Sequence, residues 1–188
     1  MPEETQRIFV AIELPNNIHQ KIANLQKQLK LTGADVKWVE PENIHLTLKF
    51  LGNLMKEKIE ILSLGVEEAV KNISNFQIAL DRLGAFPSLR RVQIVWVGIN
   101  EGEKEAINLQ EKIEEKLTSL GFEKERRAFV PHLTIGRARS FKKIPELVKE
   151  IEKVNFSTEK FLVSSVNIMK SVLTPKGPIY TKLNEFKF

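Results

Sequence analysis

Two of the three histidines in this chain are followed, two positions later, by a threonine. They are His45 with Thr47 and His132 with Thr134, and each pair lies within an apolar, strand-like run. In an extended chain residues i and i+2 point to the same side, so each pair presents an imidazole and a hydroxyl together. An imidazole titrates near neutrality and can act as acid or base. Two facing pairs would therefore supply an acid, a base and two hydrogen-bond donors for metal-free attack on a phosphodiester.

The composition argues against several other kinds of site. The 188 residues contain no cysteine, which excludes disulfides, thiolate catalysis and cysteine-ligated zinc. The two His-Thr pairs have no adjacent carboxylate to complete a metal site, so we expect neither a catalytic metal nor another cofactor. The net charge of +5 favours a polyanionic partner, because a positive surface potential attracts phosphates.

The length of the chain suits a single domain with a substantial apolar core. Residues 1–6 are acidic and polar, unlike a secretory signal, and no run of 18 apolar residues is present. We therefore expect a cytoplasmic protein that does not contact membranes, and we expect it to be a monomer.

Hydrophobic periodicity predicts the same order of elements twice along the chain. The first copy has a strand over 7–14, a helix from 16, the first His-Thr strand over 43–51, a helix over 56–72 and a strand from 76. The same order recurs from Arg91, about 85 residues later, with the second His-Thr strand over 129–136. The copies share this pattern but little side-chain identity outside the His-Thr motif.

This repeat predicts an α+β fold with two similar lobes related by a pseudo-twofold axis. Each lobe would be a small, mostly antiparallel sheet with helices outside, and the active-site cleft would lie between the sheets. We expect one bilobal domain over 1–188, with the repeat at 7–85 and 91–171 and a closing strand at 179–188.

Strict alternation assigns faces to the first motif strand. It places Leu48 and Phe50 on the buried face and places Lys49 with His45 and Thr47 on the cleft face. Lys49 could therefore attract phosphate, and a solvated lysine is the alternative.

Arg137 follows the second motif and could bind phosphate oxygens in pairs through its guanidinium group. Alternation, however, places Arg137 on the side away from His132. The strand must therefore end or bulge at Gly136 for Arg137 to reach the cleft, and otherwise Arg137 is a surface arginine.

Two aromatic residues are further candidates for substrate binding. Phe9 lies on the face of the first strand opposite its apolar side and could stack on a nucleobase, although packing against the other lobe would also explain it. Tyr180 could contact phosphate or base, or could occupy a half-buried strand position.

His19 lacks a partner threonine and is interpreted as a surface residue. The basic residues at 124–127 and 90–91 could line a path for a polyanion, although such runs are usually solvated.

These motifs also carry a family resemblance. The chain resembles the 2H phosphoesterase superfamily, named for two H-x-T-x motifs, and more narrowly the RNA 2′,3′-cyclic phosphodiesterases, historically called 2′-5′ RNA ligases. The resemblance runs through nearly the whole chain, in the segments RIFVAI at 7–12, HLTLKFLG at 45–52, PHLTIGR at 131–137 and the ending at 171–180.

The resemblance implies hydrolysis of a 2′,3′-cyclic phosphate at an RNA end, which leaves a 2′-phosphate. In that scheme His45 is the proton donor to the departing O3′, His132 is the proton acceptor from water, and Thr47 and Thr134 hold phosphate oxygens. The residues alone do not decide which histidine has which role. Since hydrolysis is reversible, the resemblance also implies weak joining of RNA ends through a 2′-5′ linkage.

Two other functions remain open on the sequence. A non-catalytic module could bind nucleotides or RNA in the same cleft, although binding alone does not require two titrating groups. A related enzyme could act on another substrate, such as a cyclic phosphate of ADP-ribose or a 2′-5′-linked oligonucleotide. Acid–base catalysis by two histidines predicts a bell-shaped pH dependence around neutrality.

Overall fold

A computed structural model describes residues 5–175 and 177–188. The strands are β1 (Gln6–Ile12), β2 (Val36–Trp38), β3 (Leu46–Leu54), β4 (Phe76–Ser88), β5 (Arg91–Glu101), β6 (His132–Ala138), β7 (Phe161–Val163), β8 (Ser165–Thr174) and β9 (Gly177–Lys187). The helices are α1 (Asn16–Lys30), α2 (Lys56–Val70), α3 (Glu103–Ser119) and α4 (Ile144–Lys153), and a 3₁₀ turn spans Pro41–Asn43.

The strands form two antiparallel sheets, which confirms the predicted α+β class. The first sheet has the order β3-β1-β8-β9 and the second has the order β2-β6-β5-β4-β7. Each motif strand pairs with the strand that opens its own half of the chain, β3 with β1 and β6 with β5. The two motifs therefore occupy similar positions in the two sheets.

The two halves of the chain exchange strands. β4 ends the first half but lies in the second sheet beside β5, whereas β8 comes from the second half and lies in the first sheet beside β1. In sequence order the chain passes from one sheet to the other four times. One continuous apolar core accordingly draws side chains from both sheets and all four helices of the described ranges.

The helices follow from apolar residues at helical spacing. In α3 the buried residues include Ala106, Leu109, Ile113 and Leu117, which recur every three or four positions on one face. α2 packs closely on α3 at Gly65, where an added Cβ would lie 2.9 Å from a methyl carbon of Leu117. None of the helices in the described ranges combines the length and the apolar character needed to cross a membrane.

Each sheet has a helix face and a cleft face. In β1 the residues Ile8, Val10 and Ile12 belong to the large core beneath the helices. Phe9 and Ala11 point to the other side and form a separate small cluster with Met169 and Tyr180. We call the first side the helix face and the second the cleft face.

A β-bulge interrupts the first motif strand. Residues 47 and 49 of β3 pair with adjacent residues of β1, so Leu48 is an extra residue. Alternation resumes out of phase, because a bulge moves the following side chains to the other face. Lys49 therefore lies on the helix face and Phe50 lies on the cleft face beside Phe9. The prediction that Lys49 faces the cleft and Phe50 the core is wrong for this reason.

A bulge at the equivalent place interrupts the second motif strand. Residues 134 and 136 of β6 pair with adjacent residues of β5, and Ile135 is the extra residue. Arg137 therefore shares the cleft face with Thr134, which meets the condition that the sequence set for this arginine.

Lys49 is instead part of a buried ion pair. Its Nζ lies 2.8 Å from both carboxylate oxygens of Glu114 on α3 and donates to the carbonyl of Glu123 at 2.9 Å. The amide of Glu125 donates to the same carboxylate at 2.8 Å. These bonds hold the segment after α3 against the outer edge of β3.

In the second sheet a strand, rather than an irregular segment, covers the outer edge of the motif strand. There β2 pairs with the outer edge of β6, and Gly136 opposes Trp38 in the register. A Cβ on Gly136 would lie 2.7 Å from Val36 and 3.0 Å from Trp38, so a larger residue would push β2 away. Gln26 of α1 donates to the carbonyls of Val39 and Ile135 and closes this edge.

Candidate active site

His45 is held in one tautomer by the backbone immediately before β3. Its Nδ1 lies 2.9 Å from the carbonyl oxygen of Asn43, and the Asn43 side chain donates to the carbonyl of Pro178 at 3.3 Å. Because a carbonyl oxygen only accepts, Nδ1 must carry the hydrogen. The lone pair of the neutral imidazole is then on Nε2, where it can accept a proton from a substrate or water.

His132 is held in the same way. Its Nδ1 lies 2.8 Å from the carbonyl oxygen of Val130, again two residues upstream. The lone pair of its neutral imidazole is therefore also on Nε2, which can accept a proton. Each half of the chain thus delivers one imidazole with the same tautomer, and each imidazole is followed by a threonine on the cleft face.

Aromatic rings cover His45. Phe9 stacks on it with ring centroids 4.8 Å apart, and Tyr180 approaches edge-on at 5.2 Å. Phe9 is only 2% exposed and also contacts Tyr180 at 5.1 Å. The prediction that Phe9 stacks on a nucleobase is therefore wrong, because its faces are occupied within the protein. Phe9 supports the imidazole of His45.

His132 lies next to aromatic residues of the second sheet. Phe86 meets it edge-on at 4.8 Å, and Phe86 packs on Trp96 at 5.4 Å. The indole of Trp96 crosses over Gly84, where an added Cβ would lie 2.3 Å from the ring. Gly84 thus leaves room for the indole of Trp96, and Trp96 opposes Thr134 in the register of β5 and β6.

Arg137 connects the surroundings of the two histidines. Burial lowers the pKa of His132, and the positive charge of Arg137 lowers it further. Burial raises the pKa of Tyr180, and the charges of Arg137 and Arg7 oppose that rise. Tyr180 in turn contacts His45. The backbones of β3 and β6 approach within 8 Å, measured between Cα atoms. The two motif strands therefore lie next to each other, with Arg137 on the cleft face of β6.

Burial lowers the pKa of both histidines. The pKa of His45 falls from 6.5 to about 4, chiefly because the surrounding rings exclude water. Burial also lowers the pKa of His132, with a further decrease from Arg137. Both imidazoles are therefore neutral at pH 7 in the absence of a ligand. A phosphate anion between them would favour the charged forms and raise both values.

His19 is not the surface residue that the sequence predicted. It is half-buried on α1, and its Nε2 lies 3.1 Å from the carbonyl oxygen of Ile44. Since the carbonyl accepts, Nε2 carries the hydrogen. His19 thus anchors the residue directly before His45. No local pattern distinguished it, because its partner is a backbone atom of a distant segment.

Phe50 is the aromatic residue that the sequence analysis missed. It is 61% exposed and its ring lies 6.0 Å from that of Phe9 on the cleft face.

The basic residues at 124–127 and 90–91 are exposed. This exposure is compatible with both alternatives that the sequence left open, a solvated surface and a path for a polyanion. Among residues 5–175 and 177–188, no three His, Cys, Asp or Glu side chains converge as metal ligands would.

The chain is similar to known proteins over nearly its whole length. It matches the family described as LigT-like phosphoesterase over residues 12–96 and again over 97–180. It is 39% identical over 184 residues to the RNA 2′,3′-cyclic phosphodiesterase of Methanocaldococcus jannaschii, covering 96% of this chain and 99% of that protein. The protein of the same name from Aquifex aeolicus is 35% identical over 186 residues, or 96% of each chain.

A solved structure extends this similarity to three dimensions. The chain superposes on Escherichia coli LigT complexed with 3′-AMP with a TM-score of 0.80 and 25% identity, covering 98% of this chain and 99% of that one.

Proposed function

This chain belongs to the LigT-like phosphoesterase family and is a cyclic phosphodiesterase by class, and we propose that it hydrolyses RNA 2′,3′-cyclic phosphate ends to 2′-phosphomonoesters. The observation that carries the proposal is the matched pair of imidazoles. His45 and His132 each donate Nδ1–H to a backbone carbonyl, which leaves Nε2 for proton transfer, and the two motif strands approach each other. A binding module would have no need of two such groups.

The reaction needs one proton removed and one supplied. We assign His132 as the base: its Nε2 takes a proton from water while the water oxygen forms a bond to phosphorus. We assign His45 as the acid: its Nε2–H protonates O3′ as the bond between phosphorus and O3′ breaks. The products are a 2′-phosphomonoester and a free 3′-hydroxyl. This order of roles follows the family resemblance.

Hydrogen-bond donors on the cleft face would stabilise the phosphorane-like transition state. The hydroxyls of Thr47 and Thr134 lie on this face beside the two imidazoles, and the guanidinium of Arg137 adds a fixed positive charge. Tyr180 supplies a further hydroxyl next to His45. We propose that the reaction needs no metal, because side chains provide the acid, the base and the oxyanion donors.

The same steps would join two RNA ends if the hydroxyl of a second RNA replaced water. His132 would take the proton of that hydroxyl as its oxygen bonds to phosphorus, and His45 would protonate O3′ as it departs, which leaves a 2′-5′ linkage. The reverse reaction would cleave this linkage and re-form the cyclic phosphate, with the two histidines exchanging their roles as microscopic reversibility requires. Water at its normal concentration favours hydrolysis, so we propose ligation as a minor activity.

The test uses a short RNA with a 2′,3′-cyclic phosphate end, incubated in EDTA with wild type, His45→Asn and His132→Asn. Asparagine is the matched replacement, because its amide can still donate to the carbonyl that holds Nδ1 but has no equivalent of Nε2. We expect wild type to form a product that resists a 3′-phosphatase. Each variant should lose about a hundredfold or more in kcat/KM, the usual contribution of a general acid or base.

The other outcomes lead to different functions. RNA binding by wild type without turnover would indicate a binding module. Turnover of a cyclic phosphate of ADP-ribose or of a 2′-5′-linked oligonucleotide, but not of the RNA end, would keep the chemistry and change the substrate. Full activity in either asparagine variant, with circular dichroism unchanged, would contradict the two-histidine mechanism.

A further inference from the structure

Phe50 is a large apolar residue that is mostly exposed to solvent. Its side chain is 61% exposed, and the bulge at Leu48 turns it out of the core and onto the cleft face. Its ring lies 6.0 Å from Phe9, which stacks on His45. Phe50 is therefore the next aromatic ring outward from the site, and unlike Phe9 it has a free face.

A groove begins at Phe50 and passes over the edge of β3. It has a volume of about 290 Å³ and is lined by Phe50, Leu51, Leu54, Lys58, Gly121, Phe122 and Glu123. The ammonium of Lys58 lies 5.8 Å from the ring centroid of Phe122 and is exposed to solvent. The one acidic residue in the lining, Glu123, lies 3.9 Å from the guanidinium of Arg126.

A second cation lies on the strand next to Phe50. Arg7 is exposed on β1, in the same series of cleft-face residues as Phe9, and its charge acts on Tyr180. Arg7 pairs with Asn53, three positions along β3 from Phe50, and Lys58 lines the same groove as Phe50. An exposed ring with cations on neighbouring segments is typical of proteins that bind single-stranded nucleic acid, where bases stack on aromatic faces and cations follow the phosphates.

We propose that Phe50 stacks on the base of the nucleotide immediately upstream of the one that carries the cyclic phosphate. Lys58, further along the groove, binds the next phosphate upstream. The preferred substrate is then a single-stranded oligoribonucleotide end rather than a mononucleotide, because a paired base could not stack on Phe50. This inference rests on the proposed function and specifies its substrate class.

The test compares three substrates that end in the same 2′,3′-cyclic phosphate: the adenosine mononucleotide, the dinucleotide ApA, and a dinucleotide whose upstream base is removed. The quantity measured is the ratio of kcat/KM for each dinucleotide to that for the mononucleotide. The proteins are wild type, Phe50→Leu, Phe50→Trp and Phe141→Leu. Phe141 is the matched control, since it is 81% exposed but lies beyond the far end of β6.

We expect wild type and Phe141→Leu to prefer ApA by about tenfold or more and to lose that preference when the upstream base is removed, as base stacking on an aromatic ring predicts. Phe50→Leu should lose the preference for ApA and should be insensitive to removal of the base. Phe50→Trp should keep the preference. The ratio is read within each protein, so a general loss of activity or of folded material does not alter it.

Two results would overturn the inference. Wild type could treat all three substrates alike, or Phe50→Leu could keep the full preference for ApA. In both cases continued hydrolysis of the mononucleotide would leave the proposed function intact. Failure of wild type to hydrolyse any of the three would overturn the proposed function, and the subsite inference with it.

Lys58 gives an independent measurement on the same groove. We expect Lys58→Gln to reduce the advantage of the trinucleotide ApApA over ApA, and we expect that reduction to shrink as salt rises, because the contact is electrostatic. An unchanged advantage at low salt would remove Lys58 from the subsite.

Discussion

Each catalytic candidate is fixed at the residue scale by a backbone carbonyl two positions upstream. Because the carbonyls of Asn43 and Val130 accept from Nδ1, neither imidazole can rotate without losing a bond. The aromatic rings around His45 and His132 then exclude water from their other sides. An imidazole in such surroundings becomes charged readily only when an anion is next to it. We therefore expect a bound phosphate to raise the pKa of both histidines and so to favour their charged forms.

The pH dependence should reflect this burial. The proposed mechanism needs one histidine neutral and one charged, so it predicts that kcat/KM follows a bell between the two pKa values of the free enzyme. Both values are lowered from 6.5, that of His45 to about 4. We therefore expect the maximum of kcat/KM at acidic pH rather than around neutrality. The charged form is lost as pH rises through the higher pKa, so kcat/KM should already be falling at pH 7.

The matching measurement is kcat itself over the same pH range. A bound phosphodiester stabilises the imidazolium forms, so the bell for kcat should be displaced to higher pH than that for kcat/KM. A maximum of kcat/KM at or above pH 7, or a monotonic rise with pH, would show that burial does not set the titration of these histidines.

At the scale of the element, two bulges decide which side chains face the cleft. One extra residue at Leu48 and another at Ile135 reverse the alternation of β3 and β6 just after the two threonines. Phe50 and Arg137 thereby reach the cleft, and Lys49 is moved to the helix face. The bulges thus add an aromatic ring to one side of the site and a guanidinium to the other.

The ion pair that Lys49 forms there should be important for stability. The side chains of Lys49 and Glu114 are 4% and 11% exposed, so removal of one leaves the other charge buried without its partner. We expect Lys49→Met to lower the free energy of unfolding by about 3–5 kcal/mol, measured by urea denaturation. Adding Glu114→Leu should restore part of the loss, because the stranded carboxylate is then gone. A Lys49→Met variant as stable as wild type would contradict the pair's structural role.

The sequence predicted the His-Thr pairs because their signal is local: a period of two within a strand. The bulges were not predictable for β3, since the pattern Leu46, Leu48, Phe50 fits an uninterrupted strand equally well. Gly136 gave a hint for β6, because a glycine within a strand often marks a bulge. The burial of Phe9 and the anchoring of Ile44 by His19 depend on contacts between distant segments, which periodicity does not report.

At the scale of the whole molecule, the exchange of β4 and β8 means that neither sheet is built from one half of the chain alone. Pattern repetition predicted two similar lobes but not this exchange, because the order of elements is the same with or without it. The exchange follows from pairing partners in space, and the sequence contains no signal that selects between them.

This interleaving predicts how a divided chain behaves. The turn between β4 and β5, at Leu89 and Arg90, is a suitable place for an inserted protease site. After cleavage there, we expect the two fragments to stay together through β4–β5 pairing and the common core, and to elute as the intact protein in gel filtration. Fragments 1–89 and 90–188 expressed separately should be inactive, since each has only one His-Thr pair. Separation of the cleaved fragments under native conditions would contradict the interleaved core.

The four passages of the chain between the sheets also limit how the molecule can move. Closure of two lobes about a hinge requires few connecting segments. Here four segments would have to bend together while a shared core stayed packed. The aperture between the sheets is therefore set once, when the chain folds. The entropy cost of positioning the proposed acid and base is therefore met during folding, before substrate binds, and on the proposed mechanism each substrate meets groups that are already in place.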